Sequence, residues 1–346
     1  MALTPEEQSE RLAKFDEICV DHPRLKRIKS EVASLAADTR ARIQRNQSRL
    51  ELAGHRPVKL DELWILPIVG PSGAGKSFAI EKIVDSEYER LPQGSDSIPI
   101  LPVTLRSSTK SARQFQRQIL EAYDDPSASV ILRERDYSEA NVNNAIRKIA
   151  RHRQTSIIVL DEAHNLLANS QSNGVMGKAI RSLVNDGLFS VVLAGTDEVL
   201  PLLRNDKELR SRYREGIWLS KLELTQDDCT YFLSFASYFE SELIAQGIVD
   251  QPIGLTETID DRATLYDMAD GVIGIVVRVL RLALQRGFQK EGGVVVDWLD
   301  IAKAYRSLLF SNADSKSVTS DPFRSGPKAE TKRAMEEQEK EAEAAK

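Results

Sequence analysis

The stretch that decides the fold runs from Trp64 to Ser77 and reads WILPIVGPSGAGKS. Its first half is apolar, as in a buried strand, and its second half is the pattern G-x-x-x-x-G-K-S, followed by a helix-like segment from Phe78 to Tyr88. A glycine-rich turn between a strand and a helix points successive backbone N–H groups, and the positive end of the helix dipole, at phosphate groups. The order of these parts predicts a site for a nucleoside triphosphate.

Every residue of the turn is a candidate phosphate contact, and two of them have distinct side-chain roles. Lys76 is expected to reach the β- and γ-phosphates, and the Ser77 hydroxyl is expected to coordinate Mg²⁺. The predicted nucleotide-binding residues are Gly70, Pro71, Ser72, Gly73, Ala74, Gly75, Lys76 and Ser77. The alternative is a glycine-rich turn without a ligand, and the flanking strand and helix argue against it.

The composition limits the classes of protein that this chain represents. Its 346 residues carry a net charge of -5 and are 41% apolar, which disfavours both a globally basic nucleic-acid protein and a disordered chain. The two cysteines, Cys19 and Cys229, lie far apart and support neither a disulfide framework nor a zinc site. The sequence shows no basic-then-apolar signal and no apolar run that could cross a bilayer. We expect a soluble protein of the reducing cytoplasm, without a membrane partner.

The central part of the chain alternates apolar runs with helical stretches. Strands are predicted at Leu63–Val69, Ile100–Leu105, Ser156–Leu160, Phe189–Ala194 and Gly216–Leu219, and further helices near Ser111–Ala122, Ser138–His152 and Gly174–Asp186. Strands that alternate with helices form parallel sheets covered by helices. The pattern therefore predicts an α/β fold with a parallel five-stranded sheet.

Helical regions flank this central part. Residues 4–59 read as charged helix, and basic residues outnumber acidic ones from residue 22 onward. The chain beyond Thr225 is again mostly helical, until apolar residues become rare after about Asn312. Helix caps are suggested by Thr225, Asp261 and Asp297. The predicted domains are an N-terminal helical extension (1–60), an α/β nucleotide-binding domain (61–222), a small all-α domain (223–311), and a tail (312–346) that is disordered or helical only with a partner.

A second motif follows the strand predicted at Ser156–Leu160, which ends in the adjacent carboxylates of Asp161 and Glu162. In a phosphate-loop ATPase, Asp161 would hold the Mg²⁺ shell and Glu162 would polarise the attacking water. A buried strand that ends in acids is otherwise an ordinary edge or turn, an alternative that weakens when a phosphate loop lies upstream. The letters Asp-Glu-Ala-His also occur in helicases, but no arginine-rich helicase signature follows. His164 is expected to start a helix or to pack rather than to catalyse.

Two later positions complete the expected machinery. Thr196 follows the fourth predicted strand, at the edge of a parallel sheet that faces the ligand, so it is well placed to orient the attacking water. A threonine in this position is, by itself, more often a helix cap. Arg212 ends a helical stretch before the last strand, where an arginine supplied across a subunit boundary would neutralise charge on the transferred phosphoryl group. The alternative for Arg212 is a solvated basic helix end.

These residues together resemble the AAA+ class of ATPases. Gly70–Ser77 matches Walker A, Ile157–Glu162 matches Walker B, Thr196 matches sensor 1, and Ser211-Arg212-Tyr213 resembles the arginine-finger element. The resemblance covers about residues 63–310 and implies ATP with Mg²⁺, a helical lid, and an arginine that acts on the neighbouring subunit. Where many lids carry a sensor 2 arginine this chain has a glycine, with Arg278 a turn later as the candidate nucleotide contact. Slow hydrolysis is the expected consequence.

More narrowly, the chain resembles the TniB/TnsC transposition-regulator ATPases, with the secretion ATPase ExeA and the phage Mu B protein as more distant relatives. The strings that carry this resemblance are His22-Pro23-Arg24, Asp161–Leu167, Leu193–Glu198 and Leu209–Arg212. The resemblance implies an ATP-dependent ring or filament of identical subunits on double-stranded DNA. It also implies that the protein marks target sites and recruits or activates a transposase, together with a target-selection protein.

DNA contacts are expected in the strand-to-helix turn after Leu105. DNA affinity is dominated by phosphate neutralisation, so a filament around a duplex needs basic or hydroxyl groups repeated once per subunit. The candidates, which have no acidic residue nearby in the sequence, are Arg106, Thr109, Lys110, Arg113 and Arg117. An equally weighted alternative is a solvated helix N-terminus, although positive charge there opposes the dipole. The segment has no aromatic residue for base stacking, so binding would be insensitive to DNA sequence.

Two other functions stay open. An ATP-binding adaptor of a secretion or other multiprotein complex would use nucleotide to set its assembly, without any role for DNA. A small-molecule or polynucleotide kinase also uses a phosphate loop, but it needs an acceptor pocket and has no need of the element at Ser211–Tyr213.

Overall fold

Five apolar runs form one parallel sheet in the computed structural model. The structure describes residues 3–54, 56–109, 111–133, 138–167, 173–185, 187–205, 207–290, 293–311 and 321–344. The chain divides into an α/β unit, residues 23–219, and a helical unit that combines residues 1–22 with residues 220–346.

The strands are β1 (Ile65–Val69), β2 (Ile100–Thr104), β3 (Ile157–Asp161), β4 (Ser190–Gly195) and β5 (Ile217–Trp218). The α/β unit contains the helices α2 (Pro23–Ala53), α3 (Lys76–Glu89), α4 (Ala112–Ala122), α5 (Pro126–Arg133), α6 (Glu139–His152), α7 (Asn173–Asn185), α8 (Leu200–Asn205) and α9 (Lys207–Arg210). The helical unit contains α1 (Pro5–Glu17), α10 (Gln226–Ala245), α11 (Ile259–Ala269), α12 (Ile273–Gly287), α13 (Trp298–Ser311), α14 (Pro322–Ser325) and α15 (Ala329–Ala344).

The sheet has the strand order β2-β3-β4-β1-β5, and all its neighbours are parallel. All five residues of β1 and all six of β4 are buried, because helices shield the sheet from water. The register pairs Val69 with Gly195 and Leu160 with Leu193, which brings the ends of β1, β3 and β4 to one edge. The predicted parallel five-stranded sheet is confirmed, with the strands close to their expected positions.

Helix α2 belongs to the α/β unit. Leu25 and Leu35 in its first half are buried, and the Thr39 hydroxyl lies 2.6 Å from that of Ser190 at the start of β4. The indole of Trp64 donates to Asp38 of this helix at 2.6 Å. These contacts attach α2 to the edge of the sheet at which the strands begin.

The helical unit closes around its own apolar core. Thr225 caps α10, as expected, by accepting from the backbone N–H of Asp228. The cap of α11 is Thr258 rather than the expected Asp261, because Asp261 stands three residues further on and completes a capping box with Thr258.

The end of the chain differs from the expected tail. In α15, Met335 and Thr331 are buried against the helical unit, and the Thr331 hydroxyl donates to Asp267 at 2.7 Å. Met335 and Thr331 are one helical turn apart, so they form a narrow buried stripe on one face of α15. The Ala/Glu/Lys composition of the segment does not reveal this stripe, which packs the helix against its neighbours. The expected N-terminal extension (1–60) is also divided, because α1 belongs to the helical unit and α2 to the α/β unit. The division of the chain into the four expected domains stays a prediction.

Within the described part of the chain, no helix is long and apolar enough to span a membrane.

Candidate nucleotide-binding site

The phosphate loop leaves β1 after Val69 and enters α3 at Lys76. Gly73 and Gly75 have φ angles of 83° and 86°, in the left-handed region where a side chain would be strained. A Cβ added to Gly70 would lie 2.5 Å from the carbonyl oxygen of Leu219, so only glycine fits there. The glycines of the pattern are therefore required by the path of the backbone itself.

A hydrogen bond holds the loop against the sheet, and no side chain among the described residues caps the start of α3. The Gly70 N–H donates to the carbonyl oxygen of Gly195 at 3.1 Å, which ties the loop to the end of β4. Gly75 is the N-cap residue of α3 and has no side chain that could accept from the first N–H groups of the helix. Backbone donors at a helix start, together with the helix dipole, suit an anion.

Lys76 is directed inward over the loop. Its side chain is buried, and its ammonium donates to the carbonyl oxygens of Gly70 at 2.7 Å and Pro71 at 2.9 Å. Burial lowers the pKa of Lys76, and the carboxylates of Asp161 and Glu162 offset part of that effect by raising it. The phosphate loop and the acidic pair at the end of β3 thus act on one another electrostatically in a single site.

The acidic pair stands where β3 ends. The backbone N–H of Glu162 donates to the Asp161 carboxylate at 2.8 Å, and Glu162 has a φ of 55°. A non-glycine residue in the left-handed region is held there by its surroundings, and such residues concentrate at functional sites. The carboxylate of Glu162 lies 3.2 Å from Nε2 of His164, an approach that sequence reasoning missed when it assigned His164 to packing.

Thr196 follows β4 directly, and β4 is the neighbour of β3 in the sheet. Its hydroxyl makes no capping bond to the short 3₁₀ turn Asp197–Val199 that it precedes. The hydroxyl oxygen is buried and, among the described residues, has no hydrogen-bond partner. The helix-cap alternative therefore does not account for this side chain, whereas an orphaned buried hydroxyl at the ligand edge of the sheet fits a ligand contact.

The residues present fit a nucleoside triphosphate with Mg²⁺. The loop supplies backbone donors and an ammonium for phosphates, and the exposed Ser77 hydroxyl and the Asp161 carboxylate are oxygen donors of the kind that Mg²⁺ prefers. No three His, Cys, Asp or Glu side chains come together as a metal site within the described ranges. Magnesium here would complete its shell with phosphate oxygens and water, as is usual for nucleotide sites.

Arg212 is not the solvated residue of its alternative interpretation. It is buried, its guanidinium donates to Glu62 at 3.0 Å, and its carbonyl oxygen accepts from Ile65 N–H at 2.9 Å. Two of its nitrogens, Nε and Nη1, are buried without partners among the described residues. The solvated helix end is therefore wrong. Arg212 also stands at the first residue of β1, about 13 Å from the loop at the strand's other end, so any contact with a triphosphate would be with a neighbouring subunit.

The residues expected to contact DNA carry less net positive charge in the structure than their sequence suggests, because an acidic residue lies beside two of them. Arg106 lies 3.3 Å and Arg117 2.8 Å from the Glu121 carboxylate, because α4 brings that acid back over the turn. Thr109 is buried, and its hydroxyl donates to the Arg106 carbonyl oxygen and accepts from Gln118, so it is not available to a phosphate. Arg113 is partly exposed on α4. Lys110 lies outside the described residues.

Arg278 is exposed on α12 of the helical unit, and its contact with nucleotide stays a prediction.

Comparisons with known proteins agree with this geometry. The family model described as an AAA domain matches residues 64–203. No curated protein sequence matches the chain. Among solved structures, the ADP form of ORC2 from Aeropyrum pernix has a TM-score of 0.51 at 13% identity, over 85% of this chain and 72% of that chain.

Two further structures show weaker similarity. ORC1 from Aeropyrum pernix, solved in complex with DNA, has a TM-score of 0.48 at 14% identity, over 78% of this chain and 65% of that chain. A Walker-type ATPase from Pyrococcus abyssi has a TM-score of 0.44 at 14% identity, over 71% and 69%. At these low sequence identities, structural similarity shows the fold and not the function. Residues 64–203 thus match an AAA domain, and the chain has the P-loop fold of the AAA+ ATPases.

Proposed function

We propose that this protein is a Mg²⁺-dependent ATPase whose nucleotide state controls its assembly on double-stranded DNA, and that it regulates transposition by marking target sites and by recruiting or activating a transposase. The observation that carries the ATPase part is the convergence of the phosphate loop, the acidic pair and the orphaned Thr196 hydroxyl at one edge of the sheet. The DNA and transposition parts are supported by the resemblance of the motif strings.

The chain's own residues divide the work of hydrolysis. The loop amides and Lys76 bind the triphosphate, while Ser77 and Asp161 hold Mg²⁺, which when bound neutralises phosphate charge. Glu162 polarises the attacking water and Thr196 orients it. Slow turnover follows from the glycine in place of a sensor 2 arginine, and it would suit an assembly that must persist while ATP is bound.

Self-association is part of the proposal because Arg212 is far from its own phosphate loop. The geometry within one subunit leaves the phosphoryl group without the guanidinium of Arg212. A neighbouring subunit that supplied one would make nucleotide state and assembly depend on each other. Exposed Arg210, at the end of α9, competes with Arg212 for this role.

The decisive experiment is electron microscopy of the purified protein with duplex DNA and a non-hydrolysable ATP analogue. Rings or filaments around DNA are expected with the analogue and not with ADP. The matched pair of variants is Lys76→Ala, which removes the buried ammonium of the loop, and Lys82→Ala, which removes a lysine of the same helix nearly two turns further on. Lys76→Ala should abolish nucleotide binding and assembly, and Lys82→Ala should preserve both.

A protein that stays monomeric at working concentrations with ATP and duplex both present would contradict the proposal. Assembly that needs ATP but is indifferent to DNA would favour the alternative, an adaptor of a secretion or other multiprotein complex. One observation speaks for that alternative: Glu121 lies against both Arg106 and Arg117, and this reduces the positive field that a phosphate backbone would meet.

A further inference from the structure

The turn after β3 fixes His164 beside the catalytic carboxylate. The Asn165 N–H donates to the carbonyl oxygen of Glu162 at 2.9 Å, which closes a tight turn around the intervening residues. The Asn165 side chain donates to the carbonyl oxygen of Leu105 at 2.8 Å, so the turn is also tied to the end of β2. With its backbone held at both points, His164 has little freedom to move away from Glu162.

One nitrogen of the His164 ring meets Glu162. The Nε2 to Oε2 distance is 3.2 Å, and the histidine side chain is 20% exposed whereas that of Glu162 is 47% exposed. Among the hydrogen bonds and ion pairs of the described residues, this is the one contact of the Glu162 carboxylate with another side chain. A carboxylate has no hydrogen to give, so the approach is favourable when Nε2 carries the ring hydrogen.

The other side of the ring meets the end of β4. A Cβ added to Gly195 would lie 3.2 Å from the backbone nitrogen of His164 and 3.6 Å from its Nδ1, so glycine makes room for the histidine. Nδ1 is buried and lacks a hydrogen-bond partner among the described residues, and the hydroxyl oxygen of Thr196, the next residue, is in the same condition.

A packing role alone does not explain these features. Buried polar atoms of side chains that only fill space are normally hydrogen-bonded, because leaving them bare costs free energy. Here Nδ1 of His164 is buried without a partner among the described residues, while the other ring nitrogen faces Glu162. Because the bonds of Asn165 hold the turn, the ring is fixed beside that carboxylate, which suits a role in positioning it.

We propose that His164 is a positioning residue, which holds the Glu162 carboxylate in place where β3 ends. The inference rests on the proposed function, because it takes Glu162 as the group that polarises the water. It assigns to His164 no proton transfer and no contact with the nucleotide.

The kinetic experiment separates positioning from binding. His164→Ala should lower kcat by roughly tenfold or more, and leave KM and the affinity for a fluorescent ATP analogue within about twofold, because positioning affects the chemical step alone. His164→Gln, which keeps an amide donor of similar reach, should recover much of the loss. His152→Ala is the matched control, since His152 is exposed at the end of α6. Thermal unfolding of each variant checks that the fold is intact.

A second readout needs neither nucleotide nor turnover. The chain has four histidines, so ¹⁵N labelling of the imidazoles gives few resonances in the nucleotide-free protein. Glu162→Gln should shift the ring nitrogens of His164, while those of His152 stay in place.

Each result of these two experiments either supports or contradicts the inference. The inference is overturned if the kcat of His164→Ala is within about twofold of that of the unaltered protein. It is also overturned if Glu162→Gln leaves the His164 resonances unchanged. Either result leaves the ATPase proposal standing. If Glu162→Gln itself hydrolyses ATP at the normal rate, the catalytic assignment in the proposed function is wrong as well.

Discussion

At the scale of single residues, the glycines and polar side chains of the site are explained by contacts that local sequence does not reveal. Gly70 belongs to a known pattern, yet the reason that it tolerates no side chain is the carbonyl of Leu219, which lies far along the chain. The same holds for Arg212. Its pairing with Glu62 and its bond to Ile65 make it part of the start of β1, whatever role it also has toward a neighbour.

Arg212 and Arg210 should therefore respond differently to truncation. Arg212→Ala is expected to lower the free energy of unfolding by about 1–2 kcal/mol, because it removes buried hydrocarbon and a charged hydrogen bond. Arg210→Ala, on an exposed position, should change it by less than about 0.5 kcal/mol. Urea denaturation of the unassembled protein measures both.

Hydrolysis in the assembled state then identifies the residue that acts across the interface. Whichever variant loses turnover after assembly, with nucleotide affinity retained, supplies the guanidinium. Equal stability of the two variants would contradict the structural role given to Arg212.

At the scale of elements, the strands and most helices could be predicted because their signal is local. A continuous apolar run bounded by turn residues marks a buried parallel strand, and the five predicted runs end within two residues of the observed strands. The helix whose packing the sequence did not predict is α15. Its sequence is dominated by Ala, Glu and Lys, so its average character is that of a solvated helix, while two buried residues dock it.

The docking of α15 is testable by one substitution on each of its faces. Met335→Ala should destabilise the helical unit by about 2–4 kcal/mol, because it leaves a cavity in a filled site. Glu337→Ala, on the more exposed side of the same helix, should have little effect. Chemical denaturation followed by far-UV circular dichroism compares them. A Met335→Ala protein as stable as the unaltered one would mean that the helix contributes nothing to the fold.

At the scale of the whole molecule, the proposed DNA contact depends on how many arginines act together. Simultaneous Arg106→Ala, Arg113→Ala and Arg117→Ala changes should weaken ATP-dependent DNA retention at all sequences alike. They should also reduce the slope of log affinity against log salt by about 0.9 for each DNA phosphate that the variant no longer neutralises. Glu121→Gln, which removes the acid beside Arg106 and Arg117, should strengthen retention. Salt titrations of binding to two unrelated duplexes provide the measurement, and unchanged slopes in both variants would place the DNA surface elsewhere.

The sequence by itself determined the α/β class, the parallel sheet, the phosphate loop and the carboxylates that follow β3. These depend on apolar periodicity and on a contiguous motif, in which the residues that act together are also neighbours in the chain. Strand ends that meet at one edge follow from parallel topology, so Thr196 could be placed as well.

Only the tertiary structure decided what lies beside each of these groups. It buried Thr109 and Arg212, brought Glu121 to Arg106, and set His164 between Glu162 and Gly195. It also packed α15 onto the helical unit. The physical reason is that burial and ionic partnership depend on which surfaces meet when distant segments pack, and residue type or spacing along the chain does not contain that information.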